Sequence, residues 1–218
     1  MRYAVYFCPA EGSGLDVFGR KWLATEDVPR IAPERLKTLR AKMRRYGWHA
    51  TLCAPFALAQ HASYEDVHER VVDIARRFMP FELPLRLDHL GAFLALRPHG
   101  DQTDIQALAD VCVQELNALR APLTEEVWQR RATHLDDVEL ALYRQFGYPY
   151  VRERYRFHMT LSAPASDAEE QALREWLSRE PTSNLTAHID AVTICCEKES
   201  GGDFEPVARI VLGQGNAI

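Results

Sequence analysis

The sequence predicts an α+β protein of two lobes, each built from antiparallel strands with flanking helices, with a central cleft between them. One phrase occurs twice, as WHATLCAP at 48–55 and as FHMTLSAP at 157–164, about half of the 218-residue chain apart. After each copy the same elements follow: a helix that begins at a serine, and then two strands. Self-similarity of this kind indicates an internal duplication, so the lobes should be related by a pseudo-twofold axis.

The elements of the first half follow from apolar spacing and turn residues. An apolar run opens the chain, and Pro33 begins a stretch with helical spacing that ends at Gly47. Ser63 with Asp66 three residues later predicts a helix start, and Gly91 separates two strand-like runs. The predicted elements are a strand at 2–8, a helix at 33–45, the motif strand at 48–56, a helix at 63–78 and strands at 82–89 and 92–97.

The second half is read in the same way. Ser166 and Glu169 form a capping-box pattern, and residues 199–203 read as a hairpin turn. The predicted elements are helices at 102–119 and 124–146, the second motif strand at 153–163, a helix at 166–179 and strands at 186–197 and 205–212. Because no low-complexity linker divides the chain, residues 1–218 should form a single bilobal domain, with pseudo-repeats at about 1–98 and 99–218.

Composition limits the partners. The net charge is −5, which argues against long nucleic acid as an obligate ligand. The five cysteines are an odd number without a C-x-x-C pair, which favours free thiols in the cytoplasm. The apolar N-terminus is too short for a signal h-region or a membrane span, so no membrane partner is expected. The oligomeric state is not predicted.

The repeated phrase places a histidine and a threonine two residues apart in each predicted strand. Side chains alternate faces along a strand, so His49 with Thr51 and His158 with Thr160 should face one cleft. Two imidazoles and two hydroxyls are the groups needed to break a phosphodiester without a metal. One imidazole serves as base and the other as acid, and the hydroxyls hold the phosphate; the sequence leaves open which histidine does which.

Strand parity adds four candidates for substrate binding. Arg156 and Ser162 share the parity of His158, and Cys53 shares that of His49. Tyr6, on the first strand, could line the cleft or stack on a base or sugar.

The alternative to a paired site is a structural role for each H-x-T. The wider pattern H-x-[ST] has a third match, His61-Ala62-Ser63, which lies at a predicted loop-to-helix junction without the shared context and is interpreted as chance. Two motif histidines supply too few ligands for a metal, and neither a Walker loop nor a Rossmann fingerprint is present. No metal or cofactor is therefore expected.

The paired motifs resemble those of the two-histidine (2H) phosphoesterase superfamily, which has a LigT-like fold. The segments 2–7, 46–52 and 146–161 are similar to a branch encoded in phosphonate-utilisation operons. The resemblance implies a hydrolase, a cyclic phosphodiesterase acting on a small phosphorylated substrate in phosphonate metabolism. That branch commonly has a lysine where this chain has Cys53. Two other functions remain open: an RNA 2′,3′-cyclic phosphodiesterase or 2′-5′ RNA ligase, and a non-catalytic phosphometabolite-binding module.

Overall fold

The computed structural model describes residues 1–179 and 185–214. Its centre is an eight-stranded antiparallel sheet in the order β6-β3-β4-β5-β2-β1-β7-β8. The strands are β1 (Arg2–Phe7), β2 (Ala50–Phe56), β3 (Phe81–Leu90), β4 (Phe93–Pro98), β5 (Met159–Thr160), β6 (Thr186–Ile189), β7 (Ala191–Glu197) and β8 (Glu205–Val211). The predicted α+β class with antiparallel strands and flanking helices is confirmed.

The two motif strands lie side by side at the middle of the sheet. β2 pairs with β5 through Ala50 and Met159, with β1 and then β7 on one side and β4 and then β3 on the other. One half of the sheet consists of β6, β3, β4 and β5, and the other of β2, β1, β7 and β8. Each half therefore contains strands from both halves of the chain. The sheet is curled, since β6 and β7 follow directly in the chain yet belong to opposite halves.

Eight α-helices surround the sheet in the described part of the chain. They are α1 (Gly14–Ala24), α2 (Pro33–Leu39), α3 (Ala41–Tyr46), α4 (Tyr64–Ala75), α5 (Thr103–Leu116), α6 (Glu125–Ala132), α7 (Asp137–Phe146) and α8 (Asp167–Leu177). The capping boxes predicted at Ser63 and Ser166 both form. None of the helices in the described ranges is long and apolar enough to cross a membrane.

The helices differ from prediction in three places. α1 was not predicted, although Ser13 caps it through the backbone N–H of Asp16. The predicted helix 33–45 is broken at Arg40, whose backbone leaves helical geometry while its buried guanidinium donates 2.5 Å to the Trp22 carbonyl at the end of α1. The predicted stretch 124–146 is likewise two helices, α6 and α7, with Asp136 capping the second.

Two predicted strands are also wrong in extent. The second motif strand was expected at 153–163, but residues 152–154 form a 3-10 turn and β5 covers two residues. The predicted strand 186–197 is two strands, because the chain leaves one half of the sheet at Asp190 and enters the other. The predicted hairpin turn between β7 and β8 is confirmed.

Candidate active site

The four motif side chains meet on one face of the sheet, here called the cleft face. Since Ala50 is paired with Met159, the same antiparallel register sets His49 across from Thr160 and Thr51 across from His158. Ala50 and Met159 point to the opposite face. There both are fully buried in the larger of the two hydrophobic clusters of the described residues, here called the main core. All four motif side chains are half-buried. The predicted site is thus brought together, with each histidine next to the other motif's threonine.

Both imidazoles are oriented by the same backbone contact. Nδ1 of His49 lies 3.0 Å from the Gly47 carbonyl, and Nδ1 of His158 lies 2.7 Å from the Arg156 carbonyl. A carbonyl oxygen only accepts, so Nδ1 carries the hydrogen in both rings and Nε2 is left for other partners. The Thr51 hydroxyl lies 3.4 Å from Nε2 of His49. This arrangement leaves two Nε2 atoms able to take up or release a proton.

The site lowers the pKa of both histidines. Burial, more than the charge of His158, lowers the pKa of His49 to about 4, although the Gly47 hydrogen bond acts in the other direction. The pKa of His158 is lowered less, mainly by burial and then by the positive charge of Arg97. Both rings are therefore neutral at pH 7 in the unliganded protein.

Tyr6 lies directly against His49. Tyr6 is paired with Thr51 in the β1–β2 register, and its ring centroid is 4.1 Å from that of His49. The ring is 1% exposed and also contacts Phe204. Burial raises the pKa of its hydroxyl above the ordinary range. Tyr6 thus supports the His49 ring from beneath the cleft surface.

Cys53 does not share the face of His49, which corrects the prediction from strand parity. The β1–β2 register shifts between Tyr6–Thr51 and Val5–Cys53, so β2 carries one extra residue there. Such a β-bulge turns the following side chains to the other face. Cys53 lies in the main core beside α5, and burial raises the pKa of its thiol to about 12. It is placed as an inert core residue.

Ser162 and Arg156 are bound to backbone groups. The Ser162 hydroxyl is buried and accepts a hydrogen bond from the Leu94 N–H at 3.3 Å, at the end of the β4–β5 pairing. Arg156 precedes β5, so alternation does not apply to it, and its guanidinium donates to the carbonyls of Glu153 and Tyr155 at 3.0 and 2.6 Å. Arg156 contacts the motif residues through its backbone carbonyl, which accepts the hydrogen bond from Nδ1 of His158.

An aromatic wall lies beside His49. Tyr46 stacks on Phe204 with the ring centroids 5.2 Å apart, and Tyr46 is 6.1 Å from the ring of His49. The turn that carries Phe204 is held by Glu197, which is 1% exposed and accepts hydrogen bonds from Arg2 and Arg45. These arginines, Arg2 first, lower the pKa of Glu197 to about 2. The wall gives the His49 side an aromatic surface.

Sequence reasoning missed three contributors to the site. Gly47 orients His49 through its carbonyl, and its φ of 72° lies in the left-handed region that favours glycine. Buried Tyr155 donates its hydroxyl to the Thr51 carbonyl at 3.0 Å and fixes the motif strand. Arg97 on β4 is brought next to His158 by the register alone. Gly47 was visible as a helix-ending glycine; the other two had no local signal.

Known proteins resemble this chain over nearly its whole length. The ribose 1,5-bisphosphate phosphokinase PhnN of Laribacter hongkongensis is 37% identical over 221 residues, 97% of this chain and 52% of that protein. This chain thus spans about half the length of that curated relative.

A solved structure shares the fold. TT0787 of Thermus thermophilus superposes with a TM-score of 0.53 at 15% identity, covering 98% of both chains. LigT of E. coli, in complex with 3′-AMP, has a TM-score of 0.46 at 11% identity and the same coverage. Residues 51–205 match the family described as "Protein of unknown function (DUF1045)". The chain therefore belongs to this DUF1045 family.

Proposed function

We propose that this chain is a phosphoesterase that hydrolyses a small cyclic phosphate diester by acid–base catalysis from its paired histidines. The observation that carries the proposal is the register at Ala50 and Met159, which surrounds one point of the cleft face with two imidazoles and two hydroxyls. Both Nε2 atoms are available because the Nδ1 atoms are bound to backbone carbonyls. One Nε2 atom on each side of a phosphate, one to accept a proton and one to donate it, suits general acid–base catalysis.

In the proposed reaction, a water oxygen forms a bond to phosphorus while one ring P–O bond breaks. Nε2 of one histidine takes a proton from the water, and the other histidine gives its Nε2 proton to the leaving alkoxide. The product is a phosphomonoester with a free hydroxyl. Because the pKa of His49 is lowered more, His49 is assigned as the base and His158 as the acid. The hydroxyls of Thr51 and Thr160 hold the non-bridging oxygens.

The substrate class we propose is a cyclic phosphate of a ribose. The resemblance to the phosphonate-operon branch suggests a sugar phosphate formed during phosphonate breakdown. The curated relative carries the name of a ribose 1,5-bisphosphate phosphokinase and is about twice as long. This sequence has no G-x-x-x-x-G-K-[ST] loop to hold a nucleotide triphosphate. We therefore assign phosphotransfer to the unmatched part of the relative, and a neighbouring step on a phosphorylated ribose to this chain.

The test is turnover of a substrate panel by the whole chain in the presence of EDTA. The panel contains a ribose 1,2-cyclic phosphate, 2′,3′-cyclic mononucleotides and short RNA with a terminal 2′,3′-cyclic phosphate. His49→Ala and His158→Ala should each lower kcat/KM by at least about 10²-fold. His61→Ala is the matched control and should leave kcat/KM unchanged, since His61 is exposed and belongs to the H-x-S sequence outside the motif pair. Undiminished activity in the double variant would refute the mechanism. Binding without turnover would favour the phosphometabolite-binding module, and preference for RNA would favour RNA end processing.

The choice of leaving group distinguishes the acid role of one histidine from the base role of the other. A p-nitrophenolate leaves without protonation, whereas a sugar alkoxide requires an acid. His158→Ala should therefore lose much less activity on a p-nitrophenyl phosphodiester than on the cyclic sugar phosphate, and His49→Ala should lose similar activity on both. The reverse pattern would exchange the two assignments.

A further inference from the structure

Arg97 lies next to the paired histidines on the cleft face. β4 pairs with β5 through Ala95–Thr160 and Leu96–Met159, so the next position of this register sets Arg97 across from His158. Leu94 and Leu96 point the other way and are buried in the main core. The guanidinium is close enough for its charge to lower the pKa of His158. No motif of the sequence includes Arg97.

The guanidinium is held in place from one side only. Its Nη1 donates to the His89 carbonyl at 2.8 Å and to Oδ2 of Asp88 at 3.3 Å, both on the neighbouring strand β3. Asp88 also accepts from Arg86 at 3.3 Å through the same oxygen, so one carboxylate is shared between two cations. The charge of Arg97 is therefore incompletely compensated.

The Nε–H of Arg97 is a buried donor without a hydrogen-bond partner among the residues that the structure describes. Leaving a buried charged donor unpaired is costly, so such a group is expected to meet a ligand or water. The corresponding position on the other side of the site is Cys8, which the β1–β2 register sets across from His49. Both sides have an aromatic ring, since Phe93 lies 5.8 Å from the ring of His158. They differ because the His158 side adds the cation of Arg97, while the His49 side adds a thiol and the stacked pair of Tyr46 and Phe204.

We propose that Arg97 is a substrate-binding residue that donates from its guanidinium to a phosphate oxygen on the His158 side of the cleft. This deepens the proposed function and rests on it for the identity of the substrate. The phosphate then lies toward Arg97 and the organic ring toward Tyr46, so the pseudo-symmetric motifs accept the substrate in one direction. A charge-assisted hydrogen bond of this kind contributes about 10- to 100-fold in affinity.

The experiment measures inorganic phosphate binding by calorimetry and steady-state kinetics on the ribose 1,2-cyclic phosphate. Arg97→Gln is compared with Arg86→Gln, because Arg86 shares the Asp88 oxygen but is exposed and lies one strand further from His158. Arg97→Gln should weaken phosphate binding and lower kcat/KM by about 10- to 100-fold, and Arg86→Gln should change either by less than about twofold. Arg97→Lys should recover part of the loss because it keeps the charge but not the fork of donors.

Three results would overturn the proposal. They are absence of phosphate binding by the wild-type protein, equal phosphate binding by Arg97→Gln and wild type, and equal losses in Arg97→Gln and Arg86→Gln. The last would assign Arg97 to the Asp88 network. NMR titration of His158 gives a readout independent of turnover, since removal of the guanidinium should raise the pKa of this ring. If the wild-type protein hydrolyses no cyclic phosphate while Arg97→Gln still loses phosphate binding, the proposed function fails and the role of Arg97 stands.

Discussion

The histidine pair predicts two different pH profiles for kcat/KM and kcat. Catalysis needs one neutral imidazole as the base and one imidazolium as the acid, yet both histidines have a lowered pKa in the unliganded protein. With a pKa of about 4, His49 at pH 7 is protonated in about one molecule in 10³. The one added proton of the pair is therefore held mainly by His158. As pH rises, this proton is lost at a pH below 6.5, the ordinary histidine pKa. The alkaline limb of kcat/KM, which reports on the free enzyme, should thus lie below pH 6.5.

Bound substrate should move the alkaline limb to higher pH. A phosphate anion beside the rings stabilises the imidazolium and opposes the burial that lowers both pKa values. At an effective dielectric constant of about 20, a unit charge roughly 7 Å away is worth about 2 kcal/mol, or between one and two pH units. The alkaline limb of kcat, which reports on the enzyme–substrate complex, should therefore lie about one to two units above that of kcat/KM.

The assay is initial-rate kinetics on the cyclic phosphate from pH 4 to 9 at constant ionic strength. The diester has no proton to lose over this range, so the limbs belong to the protein. Because the two rings interact, the fitted values describe the pair and not one residue. An alkaline limb of kcat/KM above pH 7, or coincident limbs for kcat and kcat/KM, would refute the reasoning. NMR titration with and without inorganic phosphate gives the same comparison without turnover.

The remaining predictions concern the supports of the site. A Cβ at Gly19 would lie 2.2 Å from Cδ1 of Trp48, the neighbour of His49. Gly19→Ala should therefore lower the free energy of unfolding in urea by about 1–3 kcal/mol. Gly14→Ala is the control and should not lower it, because a Cβ there meets nothing within 4 Å. The Glu197 pKa of about 2 is below its unfolded value, so its stabilisation is full above pH 4.5 and is lost as pH falls toward 2. Glu197→Gln should therefore cost about 3 kcal/mol at pH 7, and a cost that persisted at pH 2.5 would contradict this.

The sequence by itself determined the parts of the protein that depend on local patterns. The capping boxes at Ser63 and Ser166 and the hairpin turn before β8 form as predicted, because each is satisfied by residues a few positions apart. The pairing of the two H-x-T motifs was also visible, because a repeated phrase is evidence of a repeated environment. These observations led to the fold class and to the four motif side chains.

The tertiary structure decided everything that depends on a strand's partner. The bulge that turns Cys53 into the core exists because β1 and β2 pair with a register shift, and alternation within β2 cannot reveal it. Arg97 and His158 are neighbours through the β4–β5 register, although they are far apart in sequence. Face and neighbourhood in a sheet are set by hydrogen bonds to another strand, and so these assignments appear only when the strands are assembled.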